Sequence, residues 1–190
     1  AGNPLNAIIP ARALAELARV VSEEDDIVTM HLPPNRGQVI FRSQSAELVS
    51  QLIEGTFPDY QGIIPTSHTT RSVLPTGAFL KACKAADIFA REAAHSARLR
   101  ITPGGELEPG VVEVSATAAE TGSNESMVDA TIEGEPIEIA FNVRFLAEAL
   151  NVINAPNVAL ETTGSSSPGV IRPVDQSEFL HVIMPMHLGR

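Results

Sequence analysis

The chain has 190 residues, 44% hydrophobic and 19% charged, with a formal net charge of −10. This is globular rather than disordered composition, with room for one or two domains and a sizeable core. The acidic balance excludes a general nucleic-acid coat, though not a protein that meets DNA on one basic face, and a single cysteine, Cys83, excludes an internal disulfide or a cysteine-based zinc site. No apolar run reaches the ~20 residues that span a bilayer. Ala1-Gly2-Asn3-Pro4 has neither the basic nor the apolar region of a signal peptide.

In chain order, residues 6–9 read as a short strand stopped by Pro10. A helix over 11–21 follows, with Leu14, Leu17, Ala18 and Val21 on one face and Arg12, Glu16 and Arg19 on the other. The acidic cluster Glu23-Glu24-Asp25-Asp26 makes a turn, and strands are predicted at 27–32, 38–42 and 47–53. Phe57-Pro58-Asp59-Tyr60 starts an extended run to Pro65, and the polar stretch 66–70 is the candidate domain boundary. Residues 72–74 form a strand ended by Pro75. The helix over 76–90 buries Phe79, Leu80, Cys83 and Ala86 and turns Lys81, Lys84 and Arg91 away.

Strands at 97–102 and 110–116, a polar loop over 121–126 and a strand at 127–133 come next. Residues 137–141 open onto a helix over 142–153, with Asn142 as its N-cap. Strands at 158–162, 169–172 and 179–184 complete the chain. Pro185 is expected to end the last ladder and leave Met186-His187-Leu188 as an uncovered apolar tail. Two flexible thioethers beside a proline suit a pocket wall that adapts to a guest chain, and they suit a frayed last core strand as well.

The strand–helix junctions at Pro10, Pro75 and Phe141 recur 65 and then 66 residues apart, each followed by one amphipathic helix and three strands. The third strands of the first two copies end alike, in Ile53-Glu54-Gly55 and Ile132-Glu133-Gly134. Three copies of a strand–helix–three-strand unit therefore fill the chain. One copy cannot bury its own sheet face and helix stripe, so copies pair two to a domain. The second and third make one α+β domain and the first is half of another, so the chain reads as a fragment. Arg12, Arg19, Lys81, Lys84, Arg91 and Arg144 line the helices while acids crowd the turns. That arrangement fits an anionic partner on one face, and fits mixed-charge solvated faces equally, since Glu16, Asp87 and Glu148 share them.

No phosphate-binding glycine loop, zinc-binding helix, C-x-x-C pair or nucleophile elbow is present. His31, His68, His95, His181 and His187 have no ligand spacing, and Asp87 and Glu92 lack a sequence partner that would tune them. No metal, cofactor or catalytic residue is expected.

Two motifs, Phe57-Pro58-Asp59-Tyr60 with Ile63-Ile64-Pro65 and the terminal Val182-Ile183-Met184-Pro185-Met186-His187-Leu188, flank Ile139-Ala140-Phe141-Asn142-Val143. In this order they resemble the bacterial sliding clamp family, the β subunit of DNA polymerase III, over nearly the whole chain. The resemblance implies a DNA-clamp fold, with sheets outside and helices lining one face. Residues 1–66 would be the second half of the middle domain and 67–190 the third. It implies a cytoplasmic, nucleoid-associated, non-catalytic processivity factor that closes as a homodimer around duplex DNA. It would dock the polymerase α subunit, the clamp loader and other proteins through short Leu/Phe-containing motifs.

Carried over by position, the peptide cleft is Pro58, Gly62, Ile63, Asn142, Phe145, Pro168, Val182, Ile183, Met184, Pro185, Met186 and Leu188. Gly62 and His187 stand where members often carry basic residues. The DNA-facing residues would be Arg12, Arg19, Lys81, Lys84, Arg91 and Arg144, and the ring seam Ile88, Phe89 and Glu120. The alternative, a lipid- or small-ligand-binding α+β module, would use the same Met-rich terminal pocket.

Overall fold

The structure, a computed structural model, describes residues 7–21, 27–34, 37–105, 108–120, 122–176 and 178–187. Its contacts divide the chain between Asp59 and Tyr60. The polar run at 66–70 thus belongs to the second unit. It is held there by Thr69 N–H, which donates to Thr162 O at 2.9 Å, and by Thr163 Oγ1, which donates to Ser67 O at 3.1 Å.

The first unit has helix α1 (Ala11–Val20) and an antiparallel sheet ordered β1 (Thr29–His31), β2 (Gln38–Arg42), β3 (Glu47–Gln51). Among its described residues only Val39 and Phe41, on the central strand, are buried. The apolar stripe of α1 forms as expected, but none of its residues is buried. The expected strand at 6–9 is not seen in residues 7–9. Among the described residues its one backbone tie is Ile8 O accepting Ile53 N–H at 2.9 Å, too little to make a ladder. The acidic cluster at 23–26 lies outside the described residues.

The second unit contains two copies of the repeat. One is β4 (Thr70–Pro75), α2 (Thr76–Ala90), β5 (Ser96–Thr102), β6 (Gly110–Ala118) and β7 (Gly122–Gly134). The other is β8 (Ile137–Asn142), α3 (Val143–Val152), β9 (Asn157–Thr162), β10 (Gly169–Pro173), β11 (His181–Ile183) and β12 (Pro185–Met186). Its strands are ordered β11-β10-β9-β4-β7-β6-β5-β8-β12. The copies interlock, because β4 pairs with β9 of the other copy and β8 pairs with β5.

Two expectations are corrected. Residues 122–126 are strand, not loop: β7 stays paired with β6 to Ala118↔Gly122, since backbone ladders tolerate the polar side chains of a long hairpin. Pro185 also does not end the sheet. β7 pairs first with β6 and then, from Thr131, with β4. Its counterpart in the second copy makes the same passage in two pieces, β11 on β10 and β12 on β8. Met184 is the break between them. The two ends of the strand order therefore meet, without hydrogen bonding, at this residue.

One core fills the space between strands and helices, with Leu74, Phe79, Leu99, Phe141, Leu146 and Leu160 fully buried. Each such side chain contributes roughly 1.5–3 kcal/mol of burial. Cys83 is packed among them, and burial pushes its thiol up to about 12, so it is inert. Thr70, Ser72 and Thr162 are also buried on the core-facing side of β4 and β9. Thr70 Oγ1 donates to Glu135 O at 2.6 Å, but the Ser72 and Thr162 hydroxyls have no partner among the described residues. Thr162→Val keeps the shape and removes the stranded hydroxyl, so urea unfolding should show a gain of about 1 kcal/mol. A loss of that size would mean the hydroxyl is satisfied.

Candidate functional site

The pleat of β11 decides which terminal residues are available. Gly169↔Ile183, Val170↔Val182 and Ile171↔His181 are the paired positions. Ile183 faces the core and is only 4% exposed, so it supports the site from beneath and cannot offer a guest its side chain. Val182 faces outward, half-buried. Met184, at the break, is 60% exposed, while Pro185 and Met186 are half-buried against Phe141 and Ala140 of β8. β11 has one partner strand, so its far edge remains unpaired among the described residues.

Beside this break stands the start of α3. Asn142 caps it as expected, its Oδ1 accepting Arg144 N–H at 3.1 Å and Phe145 N–H at 3.3 Å. Phe145 fits the helical apolar period yet is 53% exposed, because the helix turns Val143, Leu146, Ala149 and Leu150 inward instead. Pro168, half-buried, precedes β10. Gly62 and Ile63 form a short 3-10 turn in which Ile63 N–H donates to Tyr60 O at 3.1 Å, and Ile63 is 49% exposed. Just beyond it, Pro65, Thr66, Ser67 and His68 cross the outward face of the sheet, enclosing a cavity of about 60 Å³ with Val170, Glu161 and Arg172. Glu161 is clamped there by Arg71 at 3.7 Å and Arg172 at 3.2 Å. Pro58 is exposed in the first unit, and Leu188 lies outside the described residues.

The arrangement offers exposed apolar side chains and an open strand edge, which suits an extended apolar segment rather than an enclosed small molecule. A groove of about 560 Å³ lies on the sheet and reaches Ala140 and His187 at the edge of this region. Its lining is polar, with Arg98, Arg100, Glu113 and Ser115 on the outward face of β5 and β6. His181 brings a titratable group next to the site, and burial lowers its pKa from 6.5. Above 6.5 both folded and unfolded chains hold it neutral, and no stability is lost. As pH falls below 6.5 the unfolded chain takes up a proton that the folded chain resists, so stability declines until the lower folded value is passed. Denaturation from pH 7.5 to 5 should show that decline reduced in His181→Gln, and an unchanged slope would remove His181 as its source.

The basic helix residues are not equivalent. Arg19 pairs with Glu16 at 2.9 Å and Arg144 with Glu148 at 3.1 Å, so both are partly neutralised. Arg12, Lys81, Lys84 and Arg91 are exposed, and Lys81 and Lys84 form no ion pair among the described residues. At the end of α2, Ile88 is exposed but Phe89 packs against the core. Glu120 is exposed in the turn after β6, at the end of the unit where Ala93 shares the large groove with Ala116 and Thr117. Asp87, near the end of α2, meets the His95 ring. Its Oδ1 lies 2.6 Å from His95 Nδ1, a contact across a turn that no local spacing announces.

The family model of the C-terminal domain of the DNA polymerase III beta subunit matches residues 61–187, and that of its central domain matches residues 1–59. Over 182 residues the chain is 31% identical to the beta sliding clamp of Staphylococcus epidermidis, covering 95% of this chain and 46% of the relative. The structure of the DNA polymerase III subunit beta from Pseudomonas aeruginosa is similar with a TM-score of 0.86 at 26% identity, over 96% of this chain and 48% of that one. The sliding clamp from Bacillus subtilis gives 0.85 at 26% identity, over 97% and 47%. The chain spans about half the length of the curated relatives it matches. Nothing in these similarities supports the lipid- or small-ligand-binding alternative.

Proposed function

The chain belongs to the DNA polymerase III beta subunit family, and from that premise we propose that it is part of a processivity factor. In this reading two protomers of the whole protein close into a ring that encircles duplex DNA and slides along it. In it residues 1–59 belong to the second half of the middle domain and residues 60–190 to the third, a boundary a few residues earlier than the expected one at 66. The doubled repeat of the second unit carries this reading. It sets α2 and α3 side by side and covers their inner faces with strands, leaving Lys81 and Lys84 exposed. A net charge of −10 is poor for tight phosphate binding but harmless to a ring that holds DNA by topology. No bond is made or broken, and the work is done in the cytoplasm at the nucleoid.

The exposed Met184, Phe145 and Ile63, with Val182, Pro185 and Met186, support a docking cleft. Its guests are Leu/Phe-containing motifs of the polymerase α subunit, the clamp loader and other proteins. Ile88 and Glu120 are the seam residues best placed for a partner protomer, and Phe89 supports Ile88 from within.

The ring claim is tested by loading the whole protein that contains this chain onto nicked circular plasmid with its clamp loader. Retention in high salt, followed by release when the plasmid is linearised, is the expected result. Equal retention on linear DNA would replace encirclement with direct binding.

A further inference from the structure

Each helix of the second unit begins against the end of the other. At one junction Thr76 N–H donates to Pro156 O at 2.9 Å, and Thr76 Oγ1 donates to Ala155 O at 2.7 Å. At the other, Val143 N–H donates to His95 O at 2.9 Å, and Asn142 Nδ2 donates to Ala94 O at 3.1 Å. The backbone bond of the first helical residue is the same at both, with a side-chain bond beside it from Thr76 in one and from the N-cap Asn142 in the other. The accepting backbone differs. Ala94 and His95 are both left-handed, at φ 53° and 61°, whereas Ala155 and Pro156 are not. A Cβ makes that conformation unfavourable, and the Ala155–Pro156 junction shows that the fold can make these bonds without it.

Two contacts hold the left-handed turn. His95 N–H donates to Ala90 O at 2.8 Å, and the His95 ring meets Asp87 one turn back on α2 at 2.6 Å. What the turn controls lies next to the candidate cleft. Ala94 O fixes the side-chain amide of Asn142, and the same amide's Oδ1 then takes the N–H groups of Arg144 and Phe145. The ring of Phe145 leaves the helix from that first turn. Strain that the fold does not need, beside residues that face a guest, is where a functional constraint is sought.

We propose that Asp87 and His95 are positioning residues for peptide binding. They hold the Ala94–His95 turn that orients Asn142 and, through it, the exposed Phe145 that an extended Leu/Phe-containing peptide packs against. The claim rests on the reading of the Met184 region as a docking cleft. A plain helix stop would affect stability without singling out Phe145.

The test uses the full chain with Asp87→Ala, His95→Ala, both together, and Thr76→Ala as a control at the other junction. His95→Ala removes the ring and keeps the Cβ, so the left-handed turn loses its support without being relieved of its strain. Hydrogen exchange of the Arg144 and Phe145 amides is followed alongside anisotropy of a labelled clamp-binding pentapeptide. Asp87→Ala and His95→Ala should each speed exchange at these two amides at least tenfold relative to the Leu160 amide. Each should weaken peptide binding three- to tenfold, with no further loss in the double variant. Thr76→Ala should do neither. Wild-type binding with exchange or affinity unchanged in His95→Ala overturns the positioning role alone. A wild-type chain that binds no peptide, although exchange responds, sinks the cleft reading and takes the proposed role with it.

Discussion

Replacing Gly134 with alanine is expected to destabilise the second unit by about 3 kcal/mol. Gly134 ends β7 at φ 102°, and a Cβ there would lie 1.9 Å from Thr69 O. That oxygen belongs to backbone that cannot retreat freely, since Thr69 N–H is bonded to Thr162 O and Thr69 Oγ1 donates to Thr163 O at 3.0 Å. Both an unfavourable conformation and a steric overlap must therefore be relieved at once. Gly55, the matching residue of the first copy, has φ 127° but nothing within 4 Å of a Cβ. Gly55→Ala should accordingly cost only about 1 kcal/mol of conformational strain. Equal losses for the two variants in urea denaturation would contradict the close approach at Gly134.

Gly169→Ala should cost about 2 kcal/mol and also weaken peptide binding. Its Cβ would meet Phe141 Cζ at 2.7 Å and Ile183 Cγ2 at 3.4 Å, inside a core where both side chains are buried. Phe141 is paired with Pro185 and Ile183 precedes Met184, so a shift of either moves the break between β11 and β12. A variant that loses stability but binds peptide like the wild type would detach the cleft from this part of the core.

Much of the fold could be read in advance because its signals are local. Pro75 and the apolar spacing after it set α2 at 76–90, and Asn142 marked the start of α3. The paired endings Ile53-Glu54-Gly55 and Ile132-Glu133-Gly134 exposed the repeat, and both glycines have the positive φ that explains their recurrence. What was missed depends on neighbours distant in sequence. Gly122-Ser123-Asn124-Glu125-Ser126 looks like a loop until β6 is beside it. Pro185 looks like an end until β8 is there to receive it. Within the candidate site, the apolar pattern could not tell exposed Phe145 from buried Leu146, nor outward Val182 from inward Ile183, since helix rotation and strand register decide those facings. The contact of Asp87 with His95 left no pattern at all.

The most direct test of the account is a titration of a labelled Leu/Phe-containing clamp-binding pentapeptide with the wild-type chain, Met184→Ala and Phe145→Ala. Both side chains are exposed, so neither substitution should unfold the unit. Saturable binding to the wild type, weakened about tenfold or more in each variant at unchanged stability, is the predicted result. Binding that ignores both substitutions would place the docking surface somewhere other than the break at Met184.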